Sequence, residues 1–405
     1  MNPTATKSRP VSEVVPPPIQ IAEGRFARLE AIEWWDQDLL SRTKVLVVGA
    51  GALGNEVIKN LALLGVGHVA IADMDRVELS NLSRSALFRE TDEGKFKADC
   101  AARAARQIFD GMQTTALVGN VLADLGLGWF RWADCVIGAL DNREARVFVN
   151  SACARVGRPW IDGGIEVMHG VARGFAPPKT ACYECTMSKV DWDLLNKRRS
   201  CSLLARRAIA QRGTPTTPTT ASVIGAIQVQ EMVKLLHGRS ALLGRGFIFD
   251  GAEHSSYTTT YPVDPDCPWH EPPVAVETVP RYNSETKLAD IWQDALRILG
   301  GVDALDFARE IVERLECSAC GGREDIHLPA EKIREDQLRC RTCGAESVPI
   351  FSHSISAPGG DLEKTARETG LPAWDIIWAR HGEQTVGFEL SGDNPFIADG
   401  PGLPE

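Results

Sequence analysis

The stretch VLVVGAGALGNEV, residues 45–57, places four apolar residues before a glycine-rich turn and a run of helix formers after it. Such a sequence reads as a buried strand that turns directly into a helix. Gly49, Gly51 and Gly54 occupy the turn. Without side chains there, bare backbone and a helix N-terminus can approach a phosphate. Asp73, at the end of the next apolar run HVAIADM (68–74), is placed to accept hydrogen bonds from a ribose. On its own this pattern fits NAD, FAD or ATP equally well.

Outward from this unit, short β-branched runs alternate with helical ones from residue 23 to 271, as in KVLVVGA (44–50), ADCVIGALD (133–141) and RPWIDGGI (158–165). Alternation of this kind predicts an α/β doubly wound domain, a mostly parallel sheet covered by helices. Residues 1–22, rich in proline and without periodicity, are expected to be a disordered tail. Past the linker EPPVAVETVP (271–280), Leu288, Ile291, Trp292, Ala295, Leu296 and Leu299 repeat at helical spacing. ALDFAREIVERL (304–315) reads as a second helix, so residues 272–349 are expected to form a helical linker and a zinc ribbon. The remainder, 350–405, holds WDIIWARHGEQTVGFELSG (374–392), two strands joined at a glycine, and is expected to be a small β-containing region.

Composition excludes several classes. A chain of 405 residues with 44% hydrophobic content can bury a large core, so a globular enzyme of two or three domains is the default. A net charge of −10 argues against coating nucleic acid, which needs a basic surface. The amino terminus lacks the apolar core of a signal peptide, and no later window approaches the apolar length of a membrane span, which predicts a soluble, cytoplasmic protein. Six of the eleven cysteines fall in three CxxC pairs, which favours metal over disulfides.

The residues after Asp73 separate the nucleotides. DMDRVELSNLSRSALFRETDEGKFKA (73–98) resembles, almost position for position, the segment after the second strand in the ThiF/MoeB family of adenylating enzymes, which includes the activating enzymes of ubiquitin-like proteins. The resemblance implies that Asp73 holds the ribose, that Asn81, Arg84 and Lys97 contact the triphosphate of ATP, and that Asp141 of ALDNREARV (139–147), with Asn142 beside it, sits near Mg2+. GRFARLEAI (24–32) is similar to the family's amino-terminal segment, whose second arginine, here Arg28, reaches into the ATP site of the partner protomer of a homodimer. The chemistry agrees: attack of a carboxylate on an α-phosphate builds negative charge that fixed cations and a metal ion stabilise.

Two cysteine sets have zinc spacing. ACYECTM (181–187) offers Cys182 and Cys185, and DPDCPWHEP (264–272) offers Cys267 and His270. Each two-residue gap lets both donors reach one tetrahedral Zn2+. The family's members use two CxxC pairs here, so His270 departs from that pattern and gives a Cys3His site. Cys317, Cys320, Cys340 and Cys343 form two matched knuckles, a second site of the zinc-ribbon type. Of the other cysteines, Cys100, Cys135 and Cys153 lie in apolar or helical runs and read as small buried hydrophobes.

Cys201 alone has a basic setting, KRRSCSLLARR (197–207), which favours thiolate over thiol. It falls where thioester-forming members of the family carry their catalytic cysteine, in a loop crossing over the active site. The expected function is therefore ATP-dependent adenylation of the C-terminal carboxylate of a ubiquitin-like or sulfur-carrier protein with a Gly-Gly tail, followed by thioester formation on Cys201. A conjugating enzyme is an optional further partner. Three alternatives stay open: adenylation of a peptide or RNA base without a thioester, a Rossmann oxidoreductase, and a non-catalytic ATP-binding scaffold.

Overall fold

The computed structural model describes residues 23–200, 215–356 and 360–396. Two short helices, α1 (Ala27–Glu30) and α2 (Gln37–Arg42), precede the first sheet. The chain then alternates β1 (Lys44–Val48), α3 (Ala52–Leu63), β2 (His68–Asp73), α4 (Lys97–Ile108), β3 (Gln113–Val118), α5 (Leu127–Trp132), β4 (Cys135–Gly138), α6 (Arg143–Val156) and β5 (Trp160–Glu166). After β6 (His169–Phe175) come α7 (Lys189–Ser200), α8 (Pro218–Leu236), β7 (Arg245–Asp250) and β8 (Ser255–Thr260). The strands form one sheet in the order β3-β2-β1-β4-β5-β6-β7-β8. Neighbours are parallel from β3 to β5 and antiparallel from there to β8.

The strand period of two explains the layers. Val45 and Val47 face a core with Val57, Ile58 and Leu61 of α3, Ala98 and Ala101 of α4, and Met232 of α8. Leu46 and Val48 face the opposite core, with Phe130 of α5 and Phe148 and Val149 of α6. A strand buried on both faces needs the unbroken apolar run seen in the sequence, each such side chain contributing about 1.5–3 kcal/mol.

A second sheet has six strands: β9 (Val276–Thr278), then, after α9 (Leu288–Leu299), β10 (Ala304–Cys317), β11 (Arg323–Pro329), β12 (Ser347–Ser356), β13 (Ile376–His381) and β14 (Gln384–Glu389). Its order is β11-β10-β13-β14-β9, with β12 also paired to β10. The helix expected at 288–299 is α9, and the hairpin expected at 374–392 is β13–β14, turning at Gly382 with φ +57°.

The second helix expected at ALDFAREIVERL is instead the first part of the long strand β10. Leu305, Phe307, Arg309 and Ile311 are buried at alternate positions, and a bulge between Val312 and Arg314 brings Val312 and Leu315 together into a separate small core. The helical reading went wrong at Arg309, which looks like a solvent-facing residue yet is buried. Its Nη1 and Nη2 donate to the carbonyls of Leu122 (2.9 Å) and Leu125 (3.0 Å), and Nη2 pairs with buried Asp375 at 3.2 Å. Asp375 in turn accepts from the Leu127 amide at 2.9 Å. Trp374, Ile376 and Trp378 join the same core as α5 and α6, so the second sheet is packed onto the first through a shared interior.

Candidate nucleotide site and metal centres

Strand order reverses between β1 and β4, and doubly wound sheets bind ligands in the crevice at that point. The glycine loop after β1 lies there. Gly49 has φ +100°, and a β-carbon on it would fall 2.3 Å from the Ala139 carbonyl at the exit of β4. One on Gly54 would fall 2.0 Å from the Gly49 carbonyl. Those two glycines are needed for close packing. Gly51 caps α3, and a β-carbon there would meet nothing within 4 Å. The second glycine thus leaves open the approach to a twelve-residue helix N-terminus, which fits a phosphate.

Asp73 holds this loop. Its Oδ2 accepts from the Ala50 amide at 2.7 Å and its Oδ1 from the Asp75 amide at 2.8 Å. Burial nevertheless pushes its carboxyl above the ordinary value, against those two donors and the nearby Lys97. Carboxylate oxygens have further lone pairs, which a ribose hydroxyl can use. Met74 (56% exposed) follows Asp73, and Val118 (43% exposed) pairs with Asp73 in register across β2 and β3. These two offer an apolar surface suited to a base. Sequence reasoning missed them because an apolar residue at a strand end looks like core.

The expected cations and acid lie at the same edge. Lys97 opens α4, and its Nζ pairs with Asp75 at 2.8 Å. Arg84 is half-buried, with Nη1 donating to the Ser80 carbonyl at 2.9 Å. Asn81 is buried, and its Oδ1 accepts from the Glu78 amide at 3.1 Å, so its side chain also shapes the turn that carries Arg84. Asp141 is exposed just beyond β4 and accepts from the Asn142 side chain at 3.1 Å. Asn142 caps α6, accepting from the Ala145 amide at 2.8 Å. Arg28 is not brought to this group. It is exposed on α1, and the preceding Phe26 packs on Phe109 and against Gly65, at the opposite ends of the strands.

A buried ion network behind Asp141 also escaped the sequence reading. Asp162 of β5 has no exposed surface and accepts from Arg146 Nε at 2.8 Å and from Arg173 Nε at 3.1 Å. Arg146 Nη2 also donates to the carbonyls of Leu140 (2.6 Å) and Gly163 (3.0 Å). The signal for it was an acidic residue inside the apolar strand RPWIDGGI, since a buried charge requires partners.

Both cysteine sets converge. In the first, Cys182 Sγ lies 3.7 Å from Cys185 Sγ and 3.5 Å from Cys267 Sγ, and Cys185 Sγ lies 3.0 Å from His270 Nε2. In the second, Cys317 is 3.5 Å from Cys343 and Cys320 is 3.5 Å from Cys340. All four donor atoms of each set lie within 4.8 Å of one another. Donors about 2.3 Å from a shared ion in a tetrahedron are just under 4 Å apart, so both sets fit Zn2+. His270 Nδ1 faces the Pro178 carbonyl at 3.4 Å, a second partner that orients the ring. The knuckles of the second set turn at Gly321 (φ +73°) and Gly344 (φ +75°). Cys100, Cys135 and Cys153 are buried as expected. Burial pushes all three thiols up, Cys135 to about 12, so they are inert as nucleophiles at neutral pH. Cys201 lies outside the described residues, as does the tail 1–22. No described helix is long and apolar enough to cross a membrane.

Known proteins resemble this chain in sequence and in fold. The NEDD8-activating enzyme E1 catalytic subunit of Caenorhabditis elegans is 41% identical over 163 residues, covering 37% of this chain and 38% of that protein. The SUMO-activating enzyme subunit 2 of Dictyostelium discoideum is 38% identical over 149 residues, covering 36% and 22%. The chain thus spans less than two fifths of the length of these curated relatives. Among solved structures, E. coli MccB with ATP superposes with a TM-score of 0.52 at 22% identity, over 62% of this chain and 75% of that one, a likeness of fold. The model of the ThiF family matches residues 24–269, well over half of the chain, and the chain belongs to that family.

Proposed function

We propose that the protein uses ATP to adenylate the C-terminal carboxylate of a ubiquitin-like or sulfur-carrier protein ending in Gly-Gly, and that Cys201 then takes up the acyl group. The observation that carries this reading is the convergence of the open glycine loop, Asp73, Lys97, Arg84 and Asp141 at one sheet edge. Hydride transfer has no use for such a set of cations facing an acid. Relatives named as NEDD8- and SUMO-activating enzymes support the substrate class.

In this reading the α3 N-terminus and Asp73 hold phosphate and ribose, and Met74 and Val118 cover the base. The carboxylate oxygen bonds to the α-phosphorus as pyrophosphate leaves, and Arg84 and Lys97 lie where the developing negative charge needs donors. Lys97 must leave Asp75 to do so, which costs little because Asp75 is 55% exposed. Asp141 would hold Mg2+, which neutralises phosphate charge. A thiolate at Cys201 would then bond to the activated carbonyl carbon with release of AMP. Arg28, at the far edge of its own protomer, serves the partner's site in a homodimer. Reduced thiols and two thiolate metal sites suit the cytoplasm, and a conjugating enzyme is the natural acceptor after Cys201.

The test is pyrophosphate exchange into ATP by Arg84→Ala, Lys97→Ala and Asp141→Ala proteins. Each is expected to lose on the order of a hundredfold while retaining its circular dichroism. Near-normal exchange in all three contradicts adenylation at this site. Cys201→Ala is expected to keep exchange and to lose the reductant-sensitive adduct with the carrier. Persistence of that adduct would show that Cys201 is not the acceptor.

A further inference from the structure

The first cysteine cluster and the turn that carries Asp141 are linked by a chain of partly buried contacts through Arg173, Asp162 and Arg146. Tyr183 and Thr186 sit in and beside the Cys182–Cys185 knuckle. Arg173 lies over the Tyr183 ring at 4.9 Å, and its Nη1 is 3.5 Å from Thr186 Oγ1. The same guanidinium grips one oxygen of Asp162, whose other oxygen is held by Arg146. Arg146 ends the chain on the carbonyl of Leu140, the residue before Asp141. Among the described residues Asp141 itself makes only the exposed hydrogen bond with its neighbour Asn142, so the direction of its carboxylate depends on how the 139–142 turn is held. The Ala139 amide fixes one end of that turn by donating to the Val48 carbonyl at 2.8 Å, and Arg146 fixes the middle.

We infer that Arg146, Asp162 and Arg173 are positioning residues through which the Cys182–Cys185–Cys267–His270 centre sets the orientation of Asp141, and with it the Mg2+ requirement of the reaction. The inference rests on the adenylation reading for its catalytic consequence, while its structural half stands apart from it. A charge network with this role must transmit geometry as well as charge. Arginine's planar fork makes three directed contacts at Arg146, which lysine's single ammonium cannot reproduce. Lysine does preserve the positive charge that Asp162 requires, so the fold survives the exchange.

Arg173→Lys and Arg146→Lys are compared with the unmodified protein by hydrogen exchange of the 138–145 segment and by Mg2+ titration of pyrophosphate exchange. Cys343→Ser, in the other cluster, is the control. Both lysine variants are expected to keep their zinc and their unfolding temperature. They should exchange the 138–145 amides about tenfold faster or more, and need several-fold more Mg2+ for half-maximal rate, with the rate recovering at saturating Mg2+. Loss of zinc from the first centre is expected to reproduce the faster amide exchange, and the Cys343→Ser control to leave it unchanged. Unchanged protection of this segment in both lysine variants overturns the inference. So does an equal increase in the control. If the unmodified protein shows no pyrophosphate exchange, the adenylation reading fails, while the amide measurement still decides whether the network holds the turn.

Discussion

The two cysteine clusters are built from knuckles of the same two-residue spacing, the first with His270 in place of a fourth cysteine, and they do different work. The first closes contacts between residues 85 apart in the chain and has buried Cys182 at its centre. The second spans 26 residues between Cys317 and Cys343, and both Cys320 and Cys343 are exposed. Loop length alone does not separate them. Closing the longer loop differs by about 1 kcal/mol in chain entropy, by the logarithmic dependence on length. The difference lies in what each cluster holds. The first clamps β6 and its following knuckle to the segment after β8, beside the Asp162 network. The second fastens only the ends of β10 and β12 and the loop between β11 and β12, at a tip of the second sheet.

The comparison sharpens into measurements of decreasing size. Cys182→Ser or Cys267→Ser is expected to lower the unfolding temperature by about 10 °C or more, because metal binding at a site absent from the unfolded chain is folding free energy. A smaller shift would place the first cluster on a par with the second. Gly128→Ala comes next. A β-carbon there would fall 2.4 Å from the Trp374 ring, which is pinned by its Nε1 bond to Glu389 at 2.6 Å. Overpacking should cost about 1–3 kcal/mol in denaturant titration. No loss would mean the second sheet is not seated on α5. Cys320→Ser, at the exposed cluster, is expected to leave pyrophosphate exchange within about twofold of normal and to reduce the metal content from two zinc ions per chain to one. A fresh preparation with one zinc or none before mutation contradicts the pairing of sites. The smallest effect is kinetic: under mild chelation, alkylation followed by mass spectrometry should label Cys320 and Cys343 before Cys182, with Cys100, Cys135 and Cys153 last.

The same contrast explains what could be read from the sequence. Around β1 every local signal agrees: an apolar strand covered on both faces, glycines where backbone must pass close, an acid at the end of β2. Consistency of that kind makes a fold legible. The metal sets were legible because ligand spacing is a local property. β10 was not, because its apolar residues satisfy helical and strand periods alike. The deciding facts, burial of Arg309 against carbonyls of the β3–α5 connection and the pairing with β12 and β13, are tertiary. Arg146 was hidden for a similar reason: it stands in the matched ALDNREARV motif, but its partner Asp162 lies sixteen residues on, and Arg173, the other cation on Asp162, lies on another strand.

The central claim is that the edge built from Gly51, Asp73, Arg84, Lys97 and Asp141 transfers AMP to a protein carboxylate. The direct measurement is incorporation of labelled pyrophosphate into ATP by the full chain with a Gly-Gly-ended ubiquitin-like protein from the same genome. Rapid exchange that requires Mg2+ and the free C-terminal carboxylate, is abolished when the terminal glycine is amidated, and persists in Cys201→Ala is the result predicted. ATP binding with no exchange, or exchange indifferent to that carboxylate, would contradict the account.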